Sequence, residues 1–144
     1  MAAGAFVMTD EGKEDLLNLD SDAASYYWVL ILAAHTPNTA TDITYSNIST
    51  NVCADGDYAA QDATSVSITN TAGTTTFDIG DVDFGNTVTI TAKYLYLVRG
   101  TVAGSTGTDR LVGYVALNSG GGSVSSTAGN FDITINASGI ITVA

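Results

Sequence analysis

Two apolar patterns run along this chain, and neither keeps a helical period for long. "YYWVLILAA" (Tyr26 to Ala34) is an almost unbroken apolar run, as a central strand shows when both its faces are covered. Elsewhere apolar and polar residues alternate, which is the period of a strand with one buried face. "ITYSNIS" (Ile43 to Ser49) places Ile43 and Tyr45 on one face, and "TSVSITNT" (Thr64 to Thr71) sets Val66 and Ile68 against its serines. The longest such pattern is "TVTITAKYLYLVRG". Within it, alternation puts Lys93, Leu95, Leu97 and Arg99 on one face and Tyr94, Tyr96 and Val98 on the other. "RLVGYVALN" follows as another strand. The chain closes with "NFDITINASGIITVA", two strands joined through Ala137-Ser138-Gly139, with Phe131, Ile133 and Ile135 on one face and Asp132, Thr134 and Asn136 on the other.

Turn signals separate these runs: Pro37 and Asn38 in "HTPNTATD", Asp55-Gly56, Ala72-Gly73, and the stretch "DIGDVDFGN". "TVAGSTGTD" and "SGGGSVSSTAG" read as flexible loops by composition. About eight strands spaced in this way predict an all-β fold. The leading form is an antiparallel β-sandwich, jelly-roll-like, with an up-and-down barrel as the alternative. No fixed-period repeat is present, which argues against a solenoid or propeller.

Residues 1–24 break the pattern and are read as an N-terminal arm with a short helix, leaving 25–144 as the β-sandwich domain. In "TDEGKEDLLNL", Thr9 is a plausible N-cap, Asp10 and Glu11 fill the first turn, and Leu16, Leu17 and Leu19 follow. Gly12 weakens the helix. The lead "AAGAFVM" cannot bury Phe6 and Val7 alone, so it must lie on its own domain or on a neighbour.

Charge narrows the partners. Fifteen acids against four bases give a net charge of −11, which repels phosphate backbones and anionic membranes. No nucleic acid and no membrane is expected; a protein, a neutral ligand or a cation is. The apolar run at Tyr26 is about half of what a membrane-spanning helix needs. The start of the chain lacks the basic region of a secretory signal. Cys53 is the only cysteine, so no internal disulfide forms, in keeping with synthesis in a reducing cytoplasm.

Candidate chemistry is sparse. The only imidazole is His35, just past a strand end, and no motif joins it to Cys53. Neither "DGD" (Asp55 to Asp57) nor "DIGDVD" (Asp78 to Asp83) has the ligand spacing of a calcium-binding loop. "SGGGS" lacks the lysine and helix of a phosphate cradle. Two Asn-X-Ser sequons, at Asn47 and Asn136, are what a Ser/Thr/Asn-rich chain produces by chance. No catalytic, cofactor or metal residue is therefore assigned, and the chain is read as not an enzyme. Tyr26, Tyr27, Trp28, Tyr94, Tyr96 and Tyr114 serve a core or interface more readily than a sugar platform. Lys93 and Arg99 bracket the leucine face of "KYLYLVRG". Their stems can cover apolar surface while their charges meet carboxylates at the rim.

The helix-then-strand order of "TDEGKEDLL" and "YYWVLILAA", followed by the Ser/Gly/Thr-rich alternation from "ITAKYLYLVRG" to the C-terminus, resembles small structural proteins of tailed-phage virions, above all capsid cement or decoration proteins. The resemblance implies a non-enzymatic protein, often a homotrimer, made in the host cytoplasm and bound to the major capsid protein on the outer capsid surface of the virion. It also implies an extended N-terminal arm that reaches neighbours. Phe6, Val7, Leu16 and Leu17 would be its apolar anchors and Asp10 and Glu11 its charged ones; Lys93 and Arg99 join the assembly interface if the acids they meet lie in another chain. A tail, baseplate or head-fibre module that recognises host sugars is the alternative, and a free carbohydrate-binding β-sandwich a third reading.

Overall fold

A computed structural model describes residues 3–14, 16 and 25–143. In chain order its elements begin with strand β1 (Val7–Met8), helix α1 (Asp10–Glu14), β2 (Tyr26–Ile31) and α2 (Tyr45–Ile48), the last running into a 3₁₀ turn at Ser49–Asn51. Then come β3 (Gln61–Asp62), β4 (Ser67–Thr71), β5 (Thr74–Asp78), β6 (Val82–Asp83), β7 (Val88–Ala92) and β8 (Tyr94–Arg99). The last four are β9 (Arg110–Ala116), β10 (Val124–Gly129), β11 (Asp132–Ile133) and β12 (Ile141–Val143). No helix among the described residues is long and apolar enough to cross a membrane.

The fold is all-β and antiparallel, as the patterning predicts. A five-stranded sheet in the order β1-β9-β8-β2-β3 is its spine. Three smaller sheets, β12-β5-β4, β11-β6 and β10-β7, supply the residues that cover one of its faces. On that face Trp28, Leu30, Leu95 and Leu97 pack with Phe77, Phe84, Ile90 and Phe131 in the main core. The opposite face buries Tyr27, Val29, Ile31, Tyr96 and Val98 with Ile48 and Leu111. Both faces of β2 are therefore covered, and all six of its residues are buried, which is why its sequence shows no alternation. Each large apolar side chain so buried contributes about 1.5–3 kcal/mol.

The alternation read in "KYLYLVRG" holds: Leu95 and Leu97 face the main core, and Tyr96 and Val98 the second cluster. The pairing of β8 with β9 slips between Leu97, opposite Gly113, and Val98, opposite Leu111. Val112 is the extra residue of this bulge. It turns its side chain into the main core, whereas Leu111 turns to the second.

Three local readings change. "ITYSNIS" is the short helix α2 with its 3₁₀ turn, not a strand. The Asn47 Oδ1 accepts the Thr44 N–H at 2.9 Å, closing the helix start as a capping box does. "TVTITAKYLYLVRG" is two strands: β7 pairs with β10, while β8 enters the main sheet between β2 and β9. The second half of "SGGGSVSSTAG" is β10, held as a strand by that pairing. These splits, with several two-residue strands, raise the count to twelve among the described residues.

Candidate functional site

Of the two places open to the N-terminal lead, its own domain or a neighbour, the stretch that carries Phe6, Val7, Asp10, Glu11 and Leu16 takes the first. Val7 pairs with Tyr114 and Met8 with Gly113, making β1 an edge strand of the main sheet. Upstream, the Gly4 N–H donates to the Ala116 carbonyl at 2.8 Å. Thr9 is fully buried; its hydroxyl donates to the Leu111 carbonyl and accepts the Gly12 N–H at 2.9 Å, so it caps α1 as predicted. Two glycines permit the close approach: Gly12 lies against the Val112 backbone, and Gly113 lies under the Phe6 ring. Phe6 and Leu16 pack, half-buried, on the main core. Val7 remains 37% exposed. Leu17 lies outside the described residues.

The charged candidates divide between the two ends of this edge. Asp10 pairs with Lys13 at 2.8 Å in solvent, and Glu11 pairs with Arg110. Arg110 stands directly opposite Arg99 in the register, so Arg99 lies at the α1 end. Lys93 lies at the other end, one residue before Tyr94, which faces Ala116. Its ammonium was expected to meet a carboxylate; instead it lies over the Tyr94 ring, 5.4 Å from the centroid, within cation–π range. Around it Tyr94 and Tyr114 meet edge to face at 6.1 Å, and Tyr96 stacks on Tyr114 at 5.2 Å.

His35 and Cys53 do not form a pair. The His35 Nε2 lies 2.9 Å from Asp42 Oδ2, and the same oxygen accepts the Tyr96 hydroxyl at 2.6 Å and the Asn38 N–H at 3.0 Å. This network pins the Pro37 loop onto the second cluster. Burial, then donation to Asp42, holds the Tyr96 phenol far above its usual range. Asp42 carried no sequence signal, because nothing local links it to a tyrosine fifty-four positions away.

Cys53 and the "DGD" acids belong to a different device, a clasp between two sheet edges. The Cys53 N–H donates to the Leu30 carbonyl at 2.8 Å on β2, and its thiol meets the Thr91 carbonyl at 3.8 Å on β7. Asp55 accepts the Thr91 N–H at 2.8 Å, Asp57 accepts the Thr89 N–H at 2.9 Å, and the Tyr58 hydroxyl accepts the Leu30 N–H at 3.0 Å. Carboxylates thus occupy strand amides that an open edge would offer to another chain. Burial raises the Cys53 pKa, keeping it a thiol rather than a nucleophilic thiolate.

The chain matches no family model, no curated protein and no solved structure.

The "DIGDVD" acids are also spent on backbone: Asp78 accepts the Ile79 N–H, Asp81 the Ile135 N–H at 2.8 Å, and Asp83 the Gly85 N–H at 2.6 Å. Asp83 stands opposite Asp132 across the β6–β11 pair. Loss of hydration, then the bond and the charge shared with Asp83, raises the Asp132 pKa. Among the described residues no cluster of His, Cys, Asp and Glu could hold a metal ion.

Proposed function

We propose that this chain is a non-enzymatic structural protein of a phage virion, a cement or decoration protein that binds the assembled capsid shell and stabilises it. The observation that supports this reading is where the reactive groups go. His35, Asp42, Cys53, Asp55, Asp57, Asp81 and Asp109 all fasten the fold, most of them by accepting backbone amides. The result is an acidic body in which carboxylates cover the β7 amides, with an exposed strip along β1 and α1. A protein that binds the shell, and not its dissociated subunits, stabilises it by mass action. On this reading the partner is the major capsid protein, the place is the outer surface, and the body is a jelly-roll-like sandwich that acts as a homotrimer.

Because β1 belongs to the sheet, removing the arm would damage the fold; surface substitutions test the proposal more cleanly. Wild-type protein should co-sediment with expanded capsids and not with free capsid protein. Val7→Asp and Asp10→Lys should keep the native fold and lose at least tenfold in shell affinity. A wild type that ignores shells altogether would remove the cement reading.

A tail, baseplate or head-fibre module with glycan affinity is favoured by one observation, the half-exposed pair of Tyr94 and Tyr114 beside Lys93. Glycan-array binding that Tyr94→Ala or Tyr114→Ala abolishes, without affinity for shells, would select that reading.

A further inference from the structure

Trp28 carries a donor that has no acceptor. The residue is 1% exposed, and its indole N–H, buried from bulk solvent, has no hydrogen-bond partner. Buried indoles normally find one. An orphaned donor in a native interior points to a water or ligand that completes it.

Trp28 also borders a cavity of about 380 Å³, with its indole nitrogen itself sealed over, so a ligand reaches the N–H only when a wall gives way. The N-terminal segment from Ala3 to Phe6 bounds one side and Val115 of β9 another; the third is the connection between β11 and β12, including Ile135 and Ile140. The lining side chains are apolar except at Thr134 and Asn136, while exposed backbone groups add further polar surface. Such a volume, with mixed apolar and polar walls, can hold a small molecule. A second cavity of about 410 Å³ adjoins it through the shared residues Ala3, Ile133 and Thr134 and adds Asn130 and Asp132.

We propose that this cavity binds a small neutral molecule with an apolar body and a carbonyl or hydroxyl oxygen, and that this oxygen accepts the Trp28 N–H. Asp132 in the adjoining cavity and Asp83 opposite it disfavour an anion. The lobe over Trp28 has no carboxylate to hold a cation. Strand β2 is fixed between neighbours on both sides, so the wall that yields to the ligand is the edge segment Ala3–Phe6. One backbone bond, from Gly4 to Ala116, fastens its start.

Trp28 is the only tryptophan, so its indole N–H gives a single side-chain resonance in an ¹H–¹⁵N spectrum. Titration of the full chain with cyclohexanol should shift that resonance saturably, with a dissociation constant on the order of millimolar or tighter. Methylcyclohexane, similar in shape but without an acceptor, should leave the indole proton unmoved at matched concentration. Thr134→Phe, a change at an exposed residue that fills the shared wall, should weaken cyclohexanol binding at least tenfold. Trp28→Phe, followed by calorimetry, should do the same. Should Trp28→Phe fail to fold, the Thr134→Phe comparison decides. The proposal is overturned by an unsaturable shift, by equal response to both probes, by undiminished binding in Thr134→Phe, or by a long-lived water on the indole that cyclohexanol does not displace.

Discussion

Gly12 of helix α1 rests against the backbone of Val112, the bulge residue of β9. A Cβ at Gly12 would lie 2.7 Å from the carbonyl carbon of Val112 and 2.9 Å from its Cα. Rigid backbone, not a side chain that can turn aside, occupies the space. The glycine that weakens this helix in the sequence is thus what lets the helix dock.

Gly12→Ala should therefore destabilise the protein, although alanine is the better helix former. An overpacked contact of this kind costs about 1–3 kcal/mol, visible as a lower urea midpoint. Hydrogen exchange at the Gly4 and Thr9 amides should speed up before that of β2. A variant as stable as wild type, with those amides equally protected, would show that the docking contact is dispensable.

The clasp gives a second prediction. Asp55→Ala removes the acceptor for the Thr91 N–H and the partner of the Cys53 thiol, and should cost about 1.5 kcal/mol. Asp55→Asn keeps an acceptor oxygen and should lose less. The double variant Asp55→Ala/Asp57→Ala leaves two amides of β7 open and should associate at high concentration, measured by light scattering. A double variant that stays as dispersed as wild type would argue that these carboxylates do not guard the edge.

Much of this architecture was readable in the chain, and the failures share a cause. The apolar run at Tyr26–Ile31 and the turn at Ala72-Gly73, where both residues take positive φ, depend on local chemistry and appear where the pattern puts them. The break at Lys93 does not. Its N–H donates to Ile31 and its carbonyl accepts from Leu117, but the chain bends there, and the positions facing the main core change from Val88, Ile90 and Ala92 to Leu95 and Leu97 as the partner strand changes. Partner identity is not a local property. The same holds for β10, whose residues read as linker until β7 lies beside them, and for the "DGD" acids, whose acceptors' role depends on amides more than thirty positions away. At α2, by contrast, the signal was present: Thr44 with Asn47 three residues on is a helix start, outweighed in the sequence by the alternation of Ile43 and Tyr45.

The buried phenols set a pH limit. Burial first, then donation to Asp109 for Tyr27 and to Asp42 for Tyr96, raises their pKa well above the ordinary phenol value; burial likewise raises Tyr58 and Tyr114. A folded pKa above the unfolded one favours the folded state fully below the unfolded value, about 10, and that contribution is lost as pH rises beyond it. Stability should hold to about pH 10 and then fall steeply. The part of the ultraviolet ionisation signal that belongs to Tyr27, Tyr58 and Tyr96 should arrive together with the loss of circular dichroism. Free titration of every tyrosine near pH 10 with the fold intact would contradict the buried hydroxyl assignments.

Thr9 and Leu111, joined by a hydrogen bond, are 102 positions apart. Strand β1 therefore has no partner during synthesis until β9, about a hundred residues later, has followed it. Closing so long a loop comes late in folding and slows it. Throughout synthesis Phe6, Val7 and Met8 stay uncovered, and a neighbouring nascent chain can offer them the same β9 edge. The order of manufacture, rather than the finished contacts, makes this edge the place where two copies could exchange strands.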